Sequence, residues 1–531
     1  MNNNFCQYIL QHNGIVKQLD LPREMSEGLG MCNPSVFIDK DGKLLCNIRR
    51  VNYLFHLSLT NYWNSAYGPT NYHHPDKDIN LRTENYMCEL DSNLDIVPDS
   101  IKHVEYQKYE PMWSFVGEED VRIVRWNDKL YLTGCRRDTE TTGISRMELS
   151  EVDDERNELS RTRIPGTGDN TSYCEKNWMP ILDEPFHYVK WCNPLEIIEY
   201  NPKTKETKTV LLKYQNIVSE DELCDLRGSS QVITVGDMHI AIVHEVNLWY
   251  NRYKERSAKY YTRFIVWDKY WSVVKLSQRF WFMNFQIEFT NGLAFDGKDF
   301  IIPFAVYDNA AYVARLSKEA LFYFIGLTDK EPQRFIKDNG TYNILSDYIF
   351  HINSPEYAYQ VGIYYFALKQ TGPAHAFFLK AAELSTEDPV KYKKIGYDAY
   401  YMAQICMESL GERMDKLVHQ YNILIQWDPS RYEAYYELSR LYYGANTNLN
   451  DHVIAMGFAA TAMTKLDNAQ NVTSICIDEQ YMTERVKMQY AICCYRSFKD
   501  YIAVPMLKDL LENGCDTIKE QIKSLGLNLN L

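Results

Sequence analysis

The sequence has no apolar run long enough to cross a bilayer, so no membrane span is expected anywhere in its 531 residues. A basic surplus is also missing: 57 Lys and Arg against 71 Asp and Glu leave a formal net charge of -14. That balance argues against a binder of nucleic-acid backbone and favours small or uncharged substrates. The opening Met1-Asn-Asn-Asn-Phe-Cys-Gln has neither a basic region nor an apolar core, so no signal peptide is expected. Thirteen cysteines are scattered without a C-x-x-C pair or the histidine spacing of a zinc site, and Cys493-Cys494 are adjacent. An odd, irregular set reads as buried free thiols in a reducing compartment, and a cytoplasmic location is the expectation. Neither a Walker loop nor a dinucleotide fingerprint occurs, which disfavours a nucleotide-dependent enzyme on a doubly wound sheet. No His/Asp/Glu cluster has ligand spacing, so neither a metal nor a cofactor is expected.

What the chain does have is aromatic residues, 14% of the total with 41 tyrosines, a richness that suits sugar-facing surfaces and β packing alike. From about residue 28 to 320, turn clusters alternate with short apolar strands. Asp39-Lys-Asp-Gly42, Trp126-Asn-Asp128, Asn201-Pro-Lys-Thr204, Val235-Gly-Asp237 and Asp296-Gly-Lys-Asp299 precede runs such as Leu44-Leu-Cys-Asn-Ile48 and His239-Ile-Ala-Ile-Val243. Hairpins recurring every 50 to 60 residues predict a β-propeller of about five blades. Beyond Arg315-Leu-Ser-Lys-Glu-Ala-Leu321 the apolar period lengthens to that of helices. Gly362, Tyr365, Ala374, Phe378 and Ala381 fall at the offsets of a tetratricopeptide repeat, and two further helical pairs follow, so a short α-helical solenoid is expected. An unrelated helical bundle is the alternative. The expected division is a propeller over residues 1–320, a linker over 321–350 and a tetratricopeptide-like helical domain over 351–531.

The most informative stretch is Ser114-Phe-Val-Gly-Glu-Glu-Asp-Val-Arg-Ile123. It sets Glu119, Asp120 and the fixed cation Arg122 at the start of a strand whose hairpin turns at Asn127-Asp128, since both residues tolerate the left-handed backbone of tight turns. A carboxylate poised between a neighbouring cation and burial is suited to general acid work, although an isolated Glu-Asp-x-Arg is more often a rim salt bridge. Asn33 with Arg49 and Arg50 is a candidate anion or polyol site, because guanidinium presents paired donors to oxyanions. Arg136, Lys176, Asn177, Arg227, Gln231 and His244 are polar groups beside otherwise apolar strands, and Glu288 and Asp308 add carboxylates of the same kind. Such groups matter when loops on one face of a propeller converge.

Taken in order, these blocks resemble glycoside hydrolase family 130 and the related β-mannoside phosphorylase and mannosyltransferase propellers. The matching pieces are Asn33-Pro with Arg49, Gly117-Glu-Glu-Asp-Val-Arg122, Lys176-Asn177, Gly228 with His244, and Ile287-Glu-Phe-Thr-Asn-Gly292 leading to Tyr307-Asp308, over about residues 28 to 318. The resemblance implies a five-bladed propeller with a central sugar pocket, Asp120 as general acid acting through a sugar hydroxyl, and inversion by phosphate. Arg49, Lys176 and His244 become candidates for the anion subsite. Val121 stands where the family has proline, and Arg227-Gly-Ser-Ser-Gln231 replaces a proline-containing loop, which leaves phosphate specificity open.

The functional expectation is a glycosyltransferase or glycoside phosphorylase that moves a mannose-like unit with inversion in glycan assembly. Its partners would be a carbohydrate with phosphate, a sugar phosphate or a nucleotide sugar. The alternative is a non-catalytic carbohydrate-binding propeller whose helical tail docks a partner glycosyltransferase. A protein partner or self-association through the helical part is expected in either case.

Overall fold

The computed structural model of the protein describes residues 3–56, 71–73, 80–167, 172, 174–215, 226–250, 256–334, 344–412, 414–445, 449–467, 479–527 and 529. The chain divides into two compact units, Met1–Phe377 and Phe378–Leu531.

The first unit contains a five-bladed β-propeller, and its turns follow from local chemistry. Asn127 and Asp128 sit at φ of 51° and 63°, the left-handed pair that folds Glu119–Trp126 back on Lys129–Arg136. Counted outward from the axis, the first blade comprises Met31–Ile38, Leu44–Val51, Leu81–Leu90 and Lys102–His103. The second comprises Glu119–Trp126, Lys129–Arg136, Arg146–Val152 and Glu158–Arg163, and the third Met179–Pro180, His187–Cys192, Leu195–Asn201 and Glu206–Lys213. The fourth comprises Arg227–Gly228, Met238–Tyr250, Arg256–Asp268 and Val273–Leu276. The fifth has Glu288–Phe289, Asp299–Val306 and Ala310–Ser317, and its outermost strand is Ile15–Leu19, from before the first blade. That antiparallel pairing closes the ring and leaves no open edge at the junction.

Among the described residues of the propeller the core is divided, because each blade is covered on both faces by its neighbours. Apolar residues fill the seams instead, which is why the strands read as near-continuous apolar runs. Val36, Ile48, Ile301 and Val313 lie between the fifth and first blades, and Phe37, Leu45, Ile123 and Leu132 between the first and second. Trp126, Tyr131, Trp178 and Tyr188 join the second to the third, and Ile181, Val189, Val243 and Trp267 the third to the fourth. The fourth seam with the fifth is aromatic: Phe282 stacks on Phe304 at 4.1 Å, and Phe5 packs against Phe264 and Phe280.

The axis is held by side chains that bond to backbone. Gln231 Nε2 donates to the carbonyls of Val36 and Ile123, each at 3.0 Å, while its Oε1 accepts from Leu293 N–H at 3.1 Å. Asn291 Nδ2 donates to Val121 O at 2.7 Å and to Asn33 O at 3.4 Å. Blades far apart in sequence are thereby joined without a shared strand ladder.

Helices Lys318–Ile325, Ile344–Phe350 and Pro355–Ala367 follow the last blade. The last is started by Ser354, whose side chain accepts from Tyr357 N–H, with Pro355 in the first turn. The second unit is helical, running from Lys393–Ser409 through Met414–Trp427, Glu433–Ala445, Leu449–Asp467, Glu479–Arg496 and Asp500–Asn513 to Asp516–Ser524, each packed on the next. Among the described residues no helix is long and apolar enough to cross a membrane.

Gln231→Ala is expected to destabilise the propeller by about 3 kcal/mol or more, since each buried backbone group left unpaired costs ~1–3 kcal/mol. Chemical denaturation checks this, and a change below ~1 kcal/mol would show that the axial bonds contribute little.

Candidate functional site

The innermost strands carry irregularities that aim polar side chains inward. In the first blade the register against Leu44–Val51 slips between Cys32 and Ser35, and in the second the register against Lys129–Arg136 slips between Glu119 and Arg122. The extra residues of these bulges are Asn33-Pro34 and Asp120-Val121, and a bulge redirects a side chain and sharpens local twist. Asn33, Asp120, Asn177 and Asp308, from four different blades, have φ of 42°, 54°, 64° and 53°. The left-handed region is tolerable for Asn and Asp, but Tyr307 at 52° shares it, and such strain collects at functional sites. Two glycines let the backbones approach: a Cβ at Gly117, which has φ of 101°, would lie 2.3 Å from Thr83 O, and one at Gly228 would lie 2.1 Å from Asn177 O.

These residues surround a cavity of about 100 Å³ lined by Asn33, Arg49, Tyr53, Glu119, Asp120, Lys176, Asn177, Arg227, His244, Tyr260, Ile287, Phe289 and Asp308. Asp120 Oδ1 accepts from Asn33 Nδ2 at 2.8 Å and from Arg49 Nη1 at 3.0 Å, and Lys176 Nζ lies 3.9 Å from Oδ2. Burial opposes its ionisation, yet Lys176, Arg49, Arg122 and the Asn33 bond more than offset burial and bring its pKa down to about 2. Asp120 is therefore a carboxylate.

Arg49 also donates Nε to Thr83 Oγ1 at 2.7 Å and Nη2 to the Tyr53 hydroxyl at 3.0 Å. Tyr53 in turn donates to Asp308 Oδ2 at 3.1 Å. Burial pushes Asp308 up, Asp120 and Glu119 add to it, and Arg49 and Tyr53 restrain it, leaving its pKa at about 6. His244 is paired across the strands with Arg227, contacts Ser229 Oγ through Nδ1 at 2.8 Å and stacks on Tyr260 at 5.7 Å. Burial and then Arg227, Lys176 and Arg122 push its pKa down to about 3, so its ring is neutral.

Of the residues singled out from the sequence, Asn33, Arg49, Glu119, Asp120, Lys176, Asn177, Arg227, His244 and Asp308 line this one cavity. The other five stand outside its lining. Arg50 projects the opposite way from Arg49, onto Met25 O at 2.9 Å, Glu27 and Glu84. Arg122 is buried with Nε on Ser229 O at 2.8 Å, Nη1 on Asp120 O at 2.6 Å and Nη2 on Asn177 Oδ1 at 3.3 Å. Arg136 lies over the Tyr106 ring at 4.5 Å and donates to Tyr109. Gln231 is an axial pin, and the Glu288 carboxylate accepts the N–H groups of Phe282, Met283 and Phe285.

Sequence reasoning missed Tyr53, Tyr260, Ile287 and Phe289. Alternation along Gln286-Ile-Glu-Phe289 held a signal, because Ile287 and Phe289 must share the face that Glu288 does not.

Among the described residues Glu119, Asp120 and Cys135 bring three potential metal-ligand atoms within 4.8 Å. The Cys135 thiol is pushed up by burial and so keeps its proton, and the Lys176 ammonium stands beside Asp120, so the set is ill suited to a cation.

No family model matches the chain, and no curated protein matches it. Among solved structures it is similar to a β-1,2-mannobiose phosphorylase from Listeria innocua in complex with β-1,2-mannobiose, at 11% identity over 59% of this chain and 97% of that one, with a TM-score of 0.39. It is also similar to a mannose phosphorylase from Leishmania mexicana in complex with phosphate ion, at 12% identity over 59% and 91% of the two chains and a TM-score of 0.33. A GDP-Man-dependent mannosyltransferase from the same organism gives 12%, 58%, 91% and 0.32.

His244 is expected to stay neutral as the pH falls from about 8 to 5, because its pKa is held down to about 3. The unfolded chain takes up this proton near about 6.5, so the stability His244 contributes is lost as pH falls from there toward 3. Ring carbon shifts of labelled histidine, assigned with His244→Gln, check the expectation, and a midpoint near about 6 would show that neither burial nor the pocket cations act on the ring.

Proposed function

We propose that this chain is a carbohydrate-active enzyme that transfers a glycosyl unit, mannose-like in its recognition, with inversion, to or from phosphate or another anionic group. The observation that carries this reading is the convergence of two carboxylates with divergent proton affinities, Asp120 and Asp308, and the cations Lys176 and Arg227, in one cavity built from five blades. Paired carboxylates in unlike surroundings divide acid and base work. Arg227 makes no ion pair among the described residues and stands exposed at the lining, available to an incoming anion. Neutral His244 beside it offers a hydrogen bond without adding charge.

Asn33, Asp120 and Asp308 offer acceptors and a donor to sugar hydroxyls, and Tyr260 and Phe289 give the flat faces on which sugar rings pack. Inversion follows from direct attack by an anion held at Lys176 and Arg227 on the face opposite the leaving group, as the family resemblance implies. Phosphate, a sugar phosphate and the diphosphate of a nucleotide sugar share the chemistry such a clamp recognises.

One observation favours the non-catalytic reading: the carboxylate that the resemblance casts as general acid is bordered by cations and ionised. On that reading the helical part, whose first repeat matches tetratricopeptide offsets, docks the enzyme that does the chemistry.

A screen of sugar 1-phosphates and nucleotide sugars against glycoside acceptors, read by released phosphate and free sugar, decides between them. Turnover is expected, with Asp120→Asn lowering kcat by roughly 10²-fold or more through lost positioning. Arg227→Ala is expected to weaken the anionic co-substrate by roughly 10- to 100-fold in KM, the worth of a charged hydrogen bond. Measurable glycan binding with no turnover of any donor would favour the binding module.

A further inference from the structure

The bonding around the two pocket carboxylates differs in a way that assigns a proton. Asp120 Oδ1 accepts from Asn33 and from the Arg49 guanidinium, and Oδ2 faces the Lys176 ammonium at 3.9 Å, so a cation borders each oxygen and both favour the ionised form. Asp308 lines the cavity with Oδ2 engaged by Tyr53 and Oδ1 without a hydrogen-bond partner among the described residues. Tyr53 accepts from Arg49 Nη2 and donates its own hydrogen to Asp308 Oδ2. A proton on Asp308 therefore sits on Oδ1, facing the cavity.

We infer that Asp308, and not Asp120, supplies the proton taken up by the leaving group, with Tyr53 and Arg49 as its positioning residues. This rests on the transfer reading above and deepens it. The charged and titratable groups around Asp308 are Arg49, Tyr53 and Cys32 from the first blade, Asp120 and Glu119 from the second and Tyr260 from the fourth. Their balance with burial leaves its pKa at about 6, where a carboxyl exchanges its proton in the working range.

With phosphate as the co-substrate the step balances as follows. A phosphate oxygen forms the new bond to the anomeric carbon as the bond from that carbon to the glycosidic oxygen breaks. The glycosidic oxygen keeps the bonding pair and takes the proton from Asp308 Oδ1, leaving as an alcohol. The glycosyl phosphate then releases its remaining proton, which returns to Asp308 directly or through solvent. Asp120 meanwhile holds a sugar hydroxyl as an acceptor and stays ionised throughout.

Two glycosides of one sugar test this, one with a sugar alcohol as leaving group and one with dinitrophenolate, which departs without a proton. Asp308→Asn is expected to lower kcat on the first by roughly 10²- to 10⁴-fold and to leave the second within about 10-fold. Asp120→Asn is expected to lower both. Equal losses on both substrates in Asp308→Asn, or the selective loss in Asp120→Asn, would overturn the assignment.

A measurement without turnover stands beside it. A carboxyl whose folded pKa is raised favours the folded state at low pH, and that contribution is lost as pH rises through about 6. Asp308→Asn should therefore raise the midpoint of thermal unfolding at about pH 8 and leave it nearly unchanged at about pH 4. No rise at the higher pH would overturn Asp308 as the proton holder. A wild type inactive on both glycosides with every anion tried would overturn the transfer reading, while the unfolding midpoints still judge the proton.

Discussion

The propeller depends on hydrogen bonds from buried side chains to backbone at its axis. In the third, fourth and fifth blades the innermost strand is only two residues long, as in Met179–Pro180, Arg227–Gly228 and Glu288–Phe289. Such strands cannot fix their place by ladder bonds alone. Gln231 and Asn291 do it by bonding to the carbonyls of the first and second blades, and Arg122 ties the second blade to the third and fourth. Arg122 also bonds the carbonyl of Asp120 itself, so the same contact that holds the ring together sets the backbone of a pocket residue. The ends of the inner strands, relieved of pairing, are where bulges and left-handed residues are tolerated.

The charges of the pocket follow from the same arrangement. Arg49 lies deep and divides its donors among Asp120, Tyr53 and Thr83, so it serves both carboxylates unequally: directly for Asp120, through a hydroxyl for Asp308. Lys176, Arg49, Arg122 and the Asn33 bond together outweigh burial for the first, whereas burial outweighs Arg49 and the Tyr53 bond for the second. Divergent acidity in this pair of aspartates thus follows from the unequal number of cations around them.

Much of this was legible in the sequence. The Asn127-Asp128 turn, the apolar strand runs and the spacing of hairpins give the five blades, because turn chemistry and burial of both sheet faces are local properties. The pocket's inner residues were also visible as polar groups beside apolar strands. What the sequence hides is which polar residues face the cavity and which serve the scaffold. Arg122, Gln231 and Glu288 have the composition of site residues, and they are buried polar groups whose partners are backbone atoms. Arg49 and Arg50 must face opposite ways, but parity alone does not say which faces inward, and the bulge at Asn33-Pro34 that decides it is a property of register. Tyr53 lies beyond the end of its strand, and only the folded chain brings it to Asp308.

Strain and charge together limit how a substrate enters. Left-handed positions at Asn33, Asp120, Asn177, Tyr307 and Asp308 cost of order 1–3 kcal/mol each where the residue tolerates them poorly, and the apolar seams between blades must offset this. The return is a pocket whose inner groups are held before a ligand arrives, which removes ordering from the cost of binding. Arg49, at the base, is buried and gives one N–H from each of its three nitrogens to Thr83, Asp120 and Tyr53. Arg227 and Lys176 are the exposed cations of the lining, so an anion is met there. Under the proposed transfer, a substrate carrying both a sugar and an anion would be oriented by charge, with the polyol turned toward Asp120 and Asp308 and the anion toward Lys176 and Arg227.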